Sequence, residues 1–239
     1  MASAFPPTRH SVIERLRKDD AAERSAAFGD LVEGYWQPVY KHLRATWRMT
    51  PEDAQDLTQA FFSDAFQKAW LEKYEPGKAR FRTFVRVCVD RFAMNSRQAS
   101  GRAKRGGDIR LVSLDFDRAE QEVRALALSA PADAEDFFRH EFVRSLFGRA
   151  VTEARAEMER TGRLVHFRLF ERYDLDPDDH TSYAALAAEF GLTESQVTNY
   201  LSLVRRTFRA HALIALRGLC GTDDEYRREA RELFGLEIE

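Results

Sequence analysis

Thr50-Pro51-Glu52-Asp53 opens a stretch that runs through Phe61, Phe62, Phe66 and Trp70 and turns at Tyr74-Glu75-Pro76-Gly77. It continues as Arg80, Arg82, Arg86, Arg91 and Arg97 interleaved with Phe81, Phe84 and Phe92. Thr50 suits a helix N-cap, Pro51 the first helical position, and Asp53 the place of a capping-box acid. On a helical wheel Ala54, Leu57, Phe61, Phe62 and Ala65 gather on one side. Asp53, Asp56, Gln59, Ser63 and Gln67 gather on the other, so core is expected for the first set and solvent for the second. Thr58 falls toward the apolar side. An acidic helix followed directly by an arginine-and-aromatic one predicts one surface for a basic protein partner and another for nucleic acid.

The charge around this stretch is segregated. The 239-residue chain has a formal net charge of −2, yet residues 78–110 hold Lys78, Arg80, Arg82, Arg86, Arg91, Arg97, Arg102, Lys104, Arg105 and Arg110 against Asp90 and Asp108 alone. A one-sign stripe of this kind is the electrostatic footprint of a phosphate-binding surface. Aromatic residues on the arginine face would stack on unpaired bases, while those on the opposite face would be core, and spacing does not separate the two roles.

Composition sets the outer limits. Hydrophobic residues make up 44% and charged residues 32%, enough for buried cores beneath a heavily charged exterior. Val/Ile/Thr alternation is nearly absent and Gly and Pro are scarce inside the periodic segments, so an all-α chain is expected. No apolar run approaches a membrane span, and residues 1–7 lack the basic-then-apolar pattern of a secretion signal. Cys88 and Cys220, far apart among apolar neighbours, suggest neither a disulfide framework nor a zinc site. A reducing cytoplasm is the expected location. The six histidines (His10, His42, His140, His166, His180 and His211) are scattered, with no carboxylate–His or Cys–His grouping at metal spacing. No enzyme, metal or cofactor is therefore expected.

Outward from the central stretch, residues 1–10 read as an extended arm, and Ser11 as the cap of a helix to about residue 18. A helix over about 21–47 carries Phe28, Leu31, Val32, Tyr35, Trp36, Val39, Tyr40 and Leu43, with Pro38 expected to bend or divide it. Residues 100–107 form a basic, glycine-containing strip. A linker is expected over 108–135, with Leu111, Leu114 and Phe116 able to dock locally. A second helical domain then runs over 136–239. Within it, at about 182–211, Ser182 caps a short helix, Gly191-Leu192-Thr193 makes a tight turn, and a longer helix follows with Val197, Leu201, Val204 and Phe208 inward. That is the helix-turn-helix pattern. Ser195, Gln196, Thr198, Asn199 and Ser202 have base-edge hydrogen-bonding capacity, and Arg205, Arg206 and Arg209 suit phosphates. The tail from Asp223 reads as an amphipathic helix packing on this last domain.

Taken together, these residues resemble an RNA polymerase sigma factor of the extracytoplasmic-function class. Asp53-Ala54-Gln55-Asp56-Leu57-Thr58-Gln59 is similar to the polymerase-binding motif of sigma region 2. The run from Tyr74 to Phe84 is similar to the loop and helix that melt DNA and capture the minus-ten element. Tyr183-Ala184-Ala185-Leu186-Ala187 through Arg209 is similar to the region 4 reader of the minus-thirty-five element. Phe5-Pro6-Pro7-Thr8-Arg9, Lys104-Arg105-Gly106-Gly107 and Ser113-Leu114-Asp115 resemble a subgroup with an N-terminal arm and a longer second half.

The resemblance implies two helical domains joined by a flexible linker, region 2 over 11–107 and region 4 over 136–239. It implies bacterial core RNA polymerase and promoter DNA as partners, with no membrane. Asp53, Asp56, Gln59 and Ser63 would dock on the polymerase's largest subunit. Bases of the non-template strand would enter pockets near Tyr74 and Phe81, with Lys78, Arg80, Arg82, Arg86 and Arg91 on the backbone and Asn95 and Arg97 on the adjacent strand or duplex. Control would come from an anti-sigma factor or from a Ser/Thr kinase acting at Thr58, with Ser63 the rival position; phosphate there would restore negative charge beside Asp56. Three departures from the family pattern stand out. Ala60 replaces the usual acid, Ala79 the usual glycine, and Thr198, Tyr200 and Leu203 stand where relatives are often basic. The alternative reading of the same residues is a stand-alone helix-turn-helix regulator of duplex DNA.

Overall fold

A computed structural model describes residues 11–99, 114–125, 133–176 and 181–237. The N-terminal arm and the basic strip at 100–107 lie outside the described residues, as do Leu111 and Arg110. Among the described residues every regular element is helical. The elements are α1 (Val12–Leu16), α2 (Ala21–Ala45), α3 (Pro51–Gln67), a 3₁₀ turn (Trp70–Lys73), α4 (Phe81–Ala99) and α5 (Phe116–Ala125). They continue as α6 (Ala134–Arg160), α7 (Leu164–Phe170), a π-helical turn (Glu171–Leu175), α8 (Tyr183–Phe190), α9 (Glu194–Leu219) and α10 (Asp223–Phe234). No helix among the described residues is long and apolar enough to cross a membrane.

Polar caps set the helix starts. Ser11 Oγ accepts from the Glu14 N–H at 3.2 Å while the Glu14 carboxylate accepts from the Ser11 N–H at 3.1 Å, a reciprocal capping box. Asp20 accepts from the amides of Ala22 and Glu23 at the start of α2. Thr50 accepts from the Asp53 amide at the start of α3, as its sequence position predicts. Pro38 does not divide α2, which runs unbroken from Ala21 to Ala45. A proline leaves the carbonyl four residues earlier without its helical donor. That carbonyl, Gly34, accepts instead from Ser145 Oγ at 3.3 Å, so the lost bond is replaced from α6.

The described residues form two compact units. One takes those up to Ser145 together with those from Leu216 onward, and the other is Leu146–Ala215. The first differs from the sequence reading in three ways, one being that residues 136–145, expected in the second domain, belong to it. Residues 116–125, expected in a linker, form α5 and pack against α2. The C-terminal helix α10, expected on the last domain, belongs with the first unit.

The core of the first unit is aromatic. Tyr35 stacks on Phe142 at 5.1 Å between ring centroids and meets Phe81 edge-on at 5.8 Å. Phe61 is ringed edge-on by Phe62, Trp70 and Phe92. Burial of each such side chain stabilises the unit by roughly 2–3 kcal/mol, with edge-to-face geometry adding to that. Phe116 of α5 sits edge-on to Trp36 and Tyr40, both rings at 5.2 Å. Polar groups finish the docking of α5. Glu120 accepts from Tyr40 and from two nitrogens of Arg44, and the buried Lys41 ammonium donates to Glu122 at 2.6 Å and to Glu141 at 2.7 Å. A lysine this buried requires paired carboxylates, and here it has two.

The second unit closes on Met158, Phe167, Phe170, Leu186, Val197, Leu201 and Val204, which form one apolar cluster. Its helices α8 and α9 are placed by this cluster and by their caps.

Candidate partner and nucleic-acid interfaces

The first turns of α3 carry Glu52, Asp53, Gln55 and Asp56, all exposed, with Gln59 half-buried and Ala60 exposed beside them. Acids here face the positive end of the helix dipole, which favours them even without partners. The surface is therefore a ready negative patch. Ser63 is not part of it. The sequence wheel placed Ser63 in solvent, but its residue exposure is 8%, and its hydroxyl accepts from Gln67 at 3.4 Å. The reason is that α3 packs against α2, α4 and the 3₁₀ turn, so its covered arc is wider than its apolar stripe. Thr58 is wholly buried, and its Oγ1 donates to the Ala54 carbonyl at 2.7 Å. A kinase has no access to either hydroxyl in this conformation, which counters the expectation of a phosphorylation site at Thr58.

The start of α4 departs furthest from expectation. Tyr74 and Phe81, expected to receive extruded bases, are buried at 2% and 0% exposure and pack edge-on at 5.1 Å. The Tyr74 hydroxyl lies 2.7 Å from the Ala79 carbonyl and 3.1 Å from the Glu225 carboxylate. Burial, reinforced by the Glu225 charge, pushes the phenol far above its ordinary range, so it stays a donor. The same carboxylate accepts from the Phe81 amide at 2.5 Å and the Gly221 amide at 2.8 Å. A Cβ on Gly221 would fall 2.3 Å from the Tyr74 ring, so only glycine lets the chain pass this close.

Arg80, Arg82 and Arg86 are similarly engaged. Arg82 is buried and pairs with Glu229 at 3.1 Å, while Glu232 and Glu135 stand at 3.5 and 3.7 Å. Arg80 reaches Glu232 at 2.5 Å and Glu229 at 3.3 Å. Arg86 bridges Glu135 and Asp90, at 2.5 and 2.6 Å. Burial pushes the Glu229 carboxyl above its usual range in spite of Arg82 and Arg80 beside it. Burial would also raise Asp90, but hydrogen bonds from His42 and Trp47 and the Arg86 charge hold it below its ordinary value. Lys78 is exposed and pairs with its neighbour Glu75. Further along α4, Arg91, Asn95 and Arg97 are exposed, and Arg97 also donates to the Trp47 carbonyl at 2.6 Å and lies over the Trp47 ring.

Four residues that sequence reading missed thus define the state of this face: Glu135 of α6 and Glu225, Glu229 and Glu232 of α10. Their signal was present. Glu225, Glu229 and Glu232 stand at i, i+4 and i+7, one stripe of a helix, and they complement the arginine stripe of α4.

In the second unit two helices, α8 and the first part of α9, flank a tight turn. Ser182 Oγ accepts from the Ala185 amide. Gly191 adopts φ 65°, a left-handed conformation that glycine enters without penalty, and both it and Leu192 donate to the Ala187 carbonyl. Thr193 caps α9 through the Gln196 amide, while the Gln196 side chain accepts from the Thr193 amide and hydroxyl at 2.8 and 3.1 Å. Gln196 thus spends its side-chain oxygen on its own helix end, while the residue itself stays exposed. Ser195, Thr198, Asn199 and Ser202 are exposed along one face opposite the buried Val197, Leu201 and Val204. Arg206 and Arg209 are exposed, whereas Arg205 is bidentate to Asp174 and lies over the Tyr173 ring at 5.5 Å. Arg205 braces the unit instead of standing free for phosphate.

Neither cysteine is poised for nucleophilic chemistry. Burial raises the Cys88 thiol to about 11 and pushes the Cys220 thiol well above its ordinary range.

No protein-family model, curated protein or solved structure matches the chain.

Proposed function

We propose that the chain is a sigma-type specificity subunit in the bacterial cytoplasm. It docks on core RNA polymerase through the acids of α3, reads promoter DNA through α9, and offers α4 to the parted non-template strand. The two domains the sequence predicts, a region 2-like one and a region 4-like one, carry these roles. No catalytic residue or cofactor enters. Strand separation draws on stacking and ion pairing that offset a few kcal/mol of unstacking per extruded base.

The supporting observation is the division of exposed chemistry within one chain. Glu52, Asp53 and Asp56 form a negative face at the start of α3, while Ser195, Thr198, Asn199, Ser202, Arg206 and Arg209 form a hydrogen-bonding and cationic face on α9. Negative charge at a protein interface mainly steers and registers a basic partner. An anti-sigma factor fits as a competitor for the α3 face. A Ser/Thr kinase would first need Thr58 or Ser63 uncovered.

A second reading, the stand-alone regulator of duplex DNA, is favoured by one feature: Tyr74, Phe81 and Arg82 are buried instead of presented. The two differ in how they respond to Asp56→Arg in binding experiments with purified core polymerase and in run-off transcription. For a sigma factor, the substitution weakens polymerase binding by about tenfold or more and run-off product falls with it. Tight, sequence-specific duplex binding by the isolated chain, unaffected by Asp56→Arg and without polymerase association, would instead establish the regulator.

A further inference from the structure

The carboxylates of α10 lie where phosphates would have to lie to use Arg80, which precedes α4, and Arg82 in its first turn. Arg82 is closed off by Glu229, with both side chains almost fully buried, and Arg80 is shared between Glu229 and Glu232. Glu225 occupies the Phe81 amide at the start of α4, together with the Tyr74 hydroxyl. Three acids at one-turn spacing thus meet two arginines and a helix-terminal amide, which is the set of donors that would otherwise hold a nucleic-acid backbone. We propose that α10 is an internal polyanion that covers Arg80, Arg82 and the start of α4, so that the free chain is closed to single-stranded DNA until α10 leaves that face.

The proposal rests on the reading of α4 as a nucleic-acid element. Two physical points make the cover releasable. A buried ion pair recovers little net free energy, because removing both ions from water offsets most of their attraction. Phosphates would supply the arginines with equivalent partners, so the exchange conserves ion pairs. Part of the cover is already open to solvent, since Arg80 and Glu232 keep side-chain exposures of 32% and 37%. The apolar share of the contact is small, with Tyr226 and Ala230 the buried apolar residues of α10 itself.

The test uses the full chain and a fluorescein-labelled oligothymidylate strand at low salt, read by anisotropy. Glu229→Gln with Glu232→Gln should tighten binding about tenfold over wild type, and adding Arg80→Ala with Arg82→Ala should abolish the gain. If the double variant fails to fold, Glu232→Gln alone, at a half-exposed position, should still tighten binding severalfold. Hydrogen exchange supplies a readout that a merely structural helix would not give: amides of residues 223–234 should exchange faster when the strand is bound. Unchanged affinity in the glutamine variants and unchanged protection of α10 would overturn the cover. If Arg91→Ala still weakens strand binding in that case, the nucleic-acid reading of α4 survives the loss. Should no variant bind and Arg91→Ala have no effect, both ideas fall.

Discussion

Thr58 has no exposed surface, and its hydroxyl is satisfied within α3 by the Ala54 carbonyl. Substitutions there therefore act on folding first. Thr58→Glu would bury a carboxylate in the place of a wholly buried threonine, at a cost of about 3 kcal/mol or more. Thr58→Val removes only the hydroxyl's hydrogen bond and should cost about 1 kcal/mol, because the carbonyl it leaves still has its helical amide donor. Urea melts of the two variants against wild type measure both effects. A glutamate variant as stable as wild type would mean that this position is open in solution and available for modification. The residue identities had already warned of burial, since Thr58 fell on the apolar side of the wheel. Ser63 gave no such warning: a helix gripped by three neighbours covers more of its circumference than its apolar residues mark.

At the scale of elements, the helices α2, α3, α8 and α9 were legible in the sequence, including the Thr50 cap of α3 and the Ser182 cap of α8. The elements α5 and α10 were misplaced for a shared physical reason. Each docks through polar groups as much as through apolar ones, and polar groups leave no mark on a hydrophobic period. In α5 only Phe116, Ala119 and Val123 are buried apolar residues, and Glu120 is the fourth buried position. Glu120 is held at about 2 by hydrogen bonds from Arg44, aided by Tyr40 and Arg124 and opposed by its partial burial. A carboxylate lowered in the folded state contributes stability that is present above its unfolded value, 4.5, and lost as pH falls toward 2. The contribution amounts to about 2–3 kcal/mol after allowing for solvent around Arg44. Glu120→Gln should therefore lower stability at neutral pH by a similar amount. It should also flatten the fall of stability between pH 5 and 2, which denaturant melts across that range would reveal; parallel pH profiles for the two proteins would assign the acid sensitivity elsewhere.

Over the whole molecule, an all-helical chain was legible in composition alone, but the grouping of its helices was not. Local periodicity says that a helix has a face to cover and is silent about which distant element covers it. The sequence reading therefore kept α10 with its chain neighbours, whereas it lies with the unit that contains Tyr74 and Arg82. The same limit governs any count of binding cations. Read from the sequence, Arg80, Arg82, Arg86, Arg91, Arg205, Arg206 and Arg209 are equivalent candidates for phosphate. In the structure Arg205 is spent on Asp174, and Arg80, Arg82 and Arg86 on glutamates, while Arg91, Arg206 and Arg209 are exposed and make no side-chain ion pair among the described residues. Salt dependence separates the two classes, because each phosphate neutralised releases condensed counterions and adds about 0.9 to the slope of log K against log salt on duplex DNA. If the proposed function holds, then in complex with core polymerase on promoter duplex Arg206→Ala and Arg209→Ala should each lower that slope by about 0.9 and weaken all sequences alike. Asn199→Ala should leave the slope alone and relax discrimination at one base position. Arg205→Ala should leave the slope unchanged and instead lower the melting temperature of the chain, since it frees Asp174 and uncovers Tyr173. A full unit of slope lost with Arg205→Ala would show that its bond to Asp174 opens on DNA, and that α9 presents three phosphate contacts where the free chain shows two.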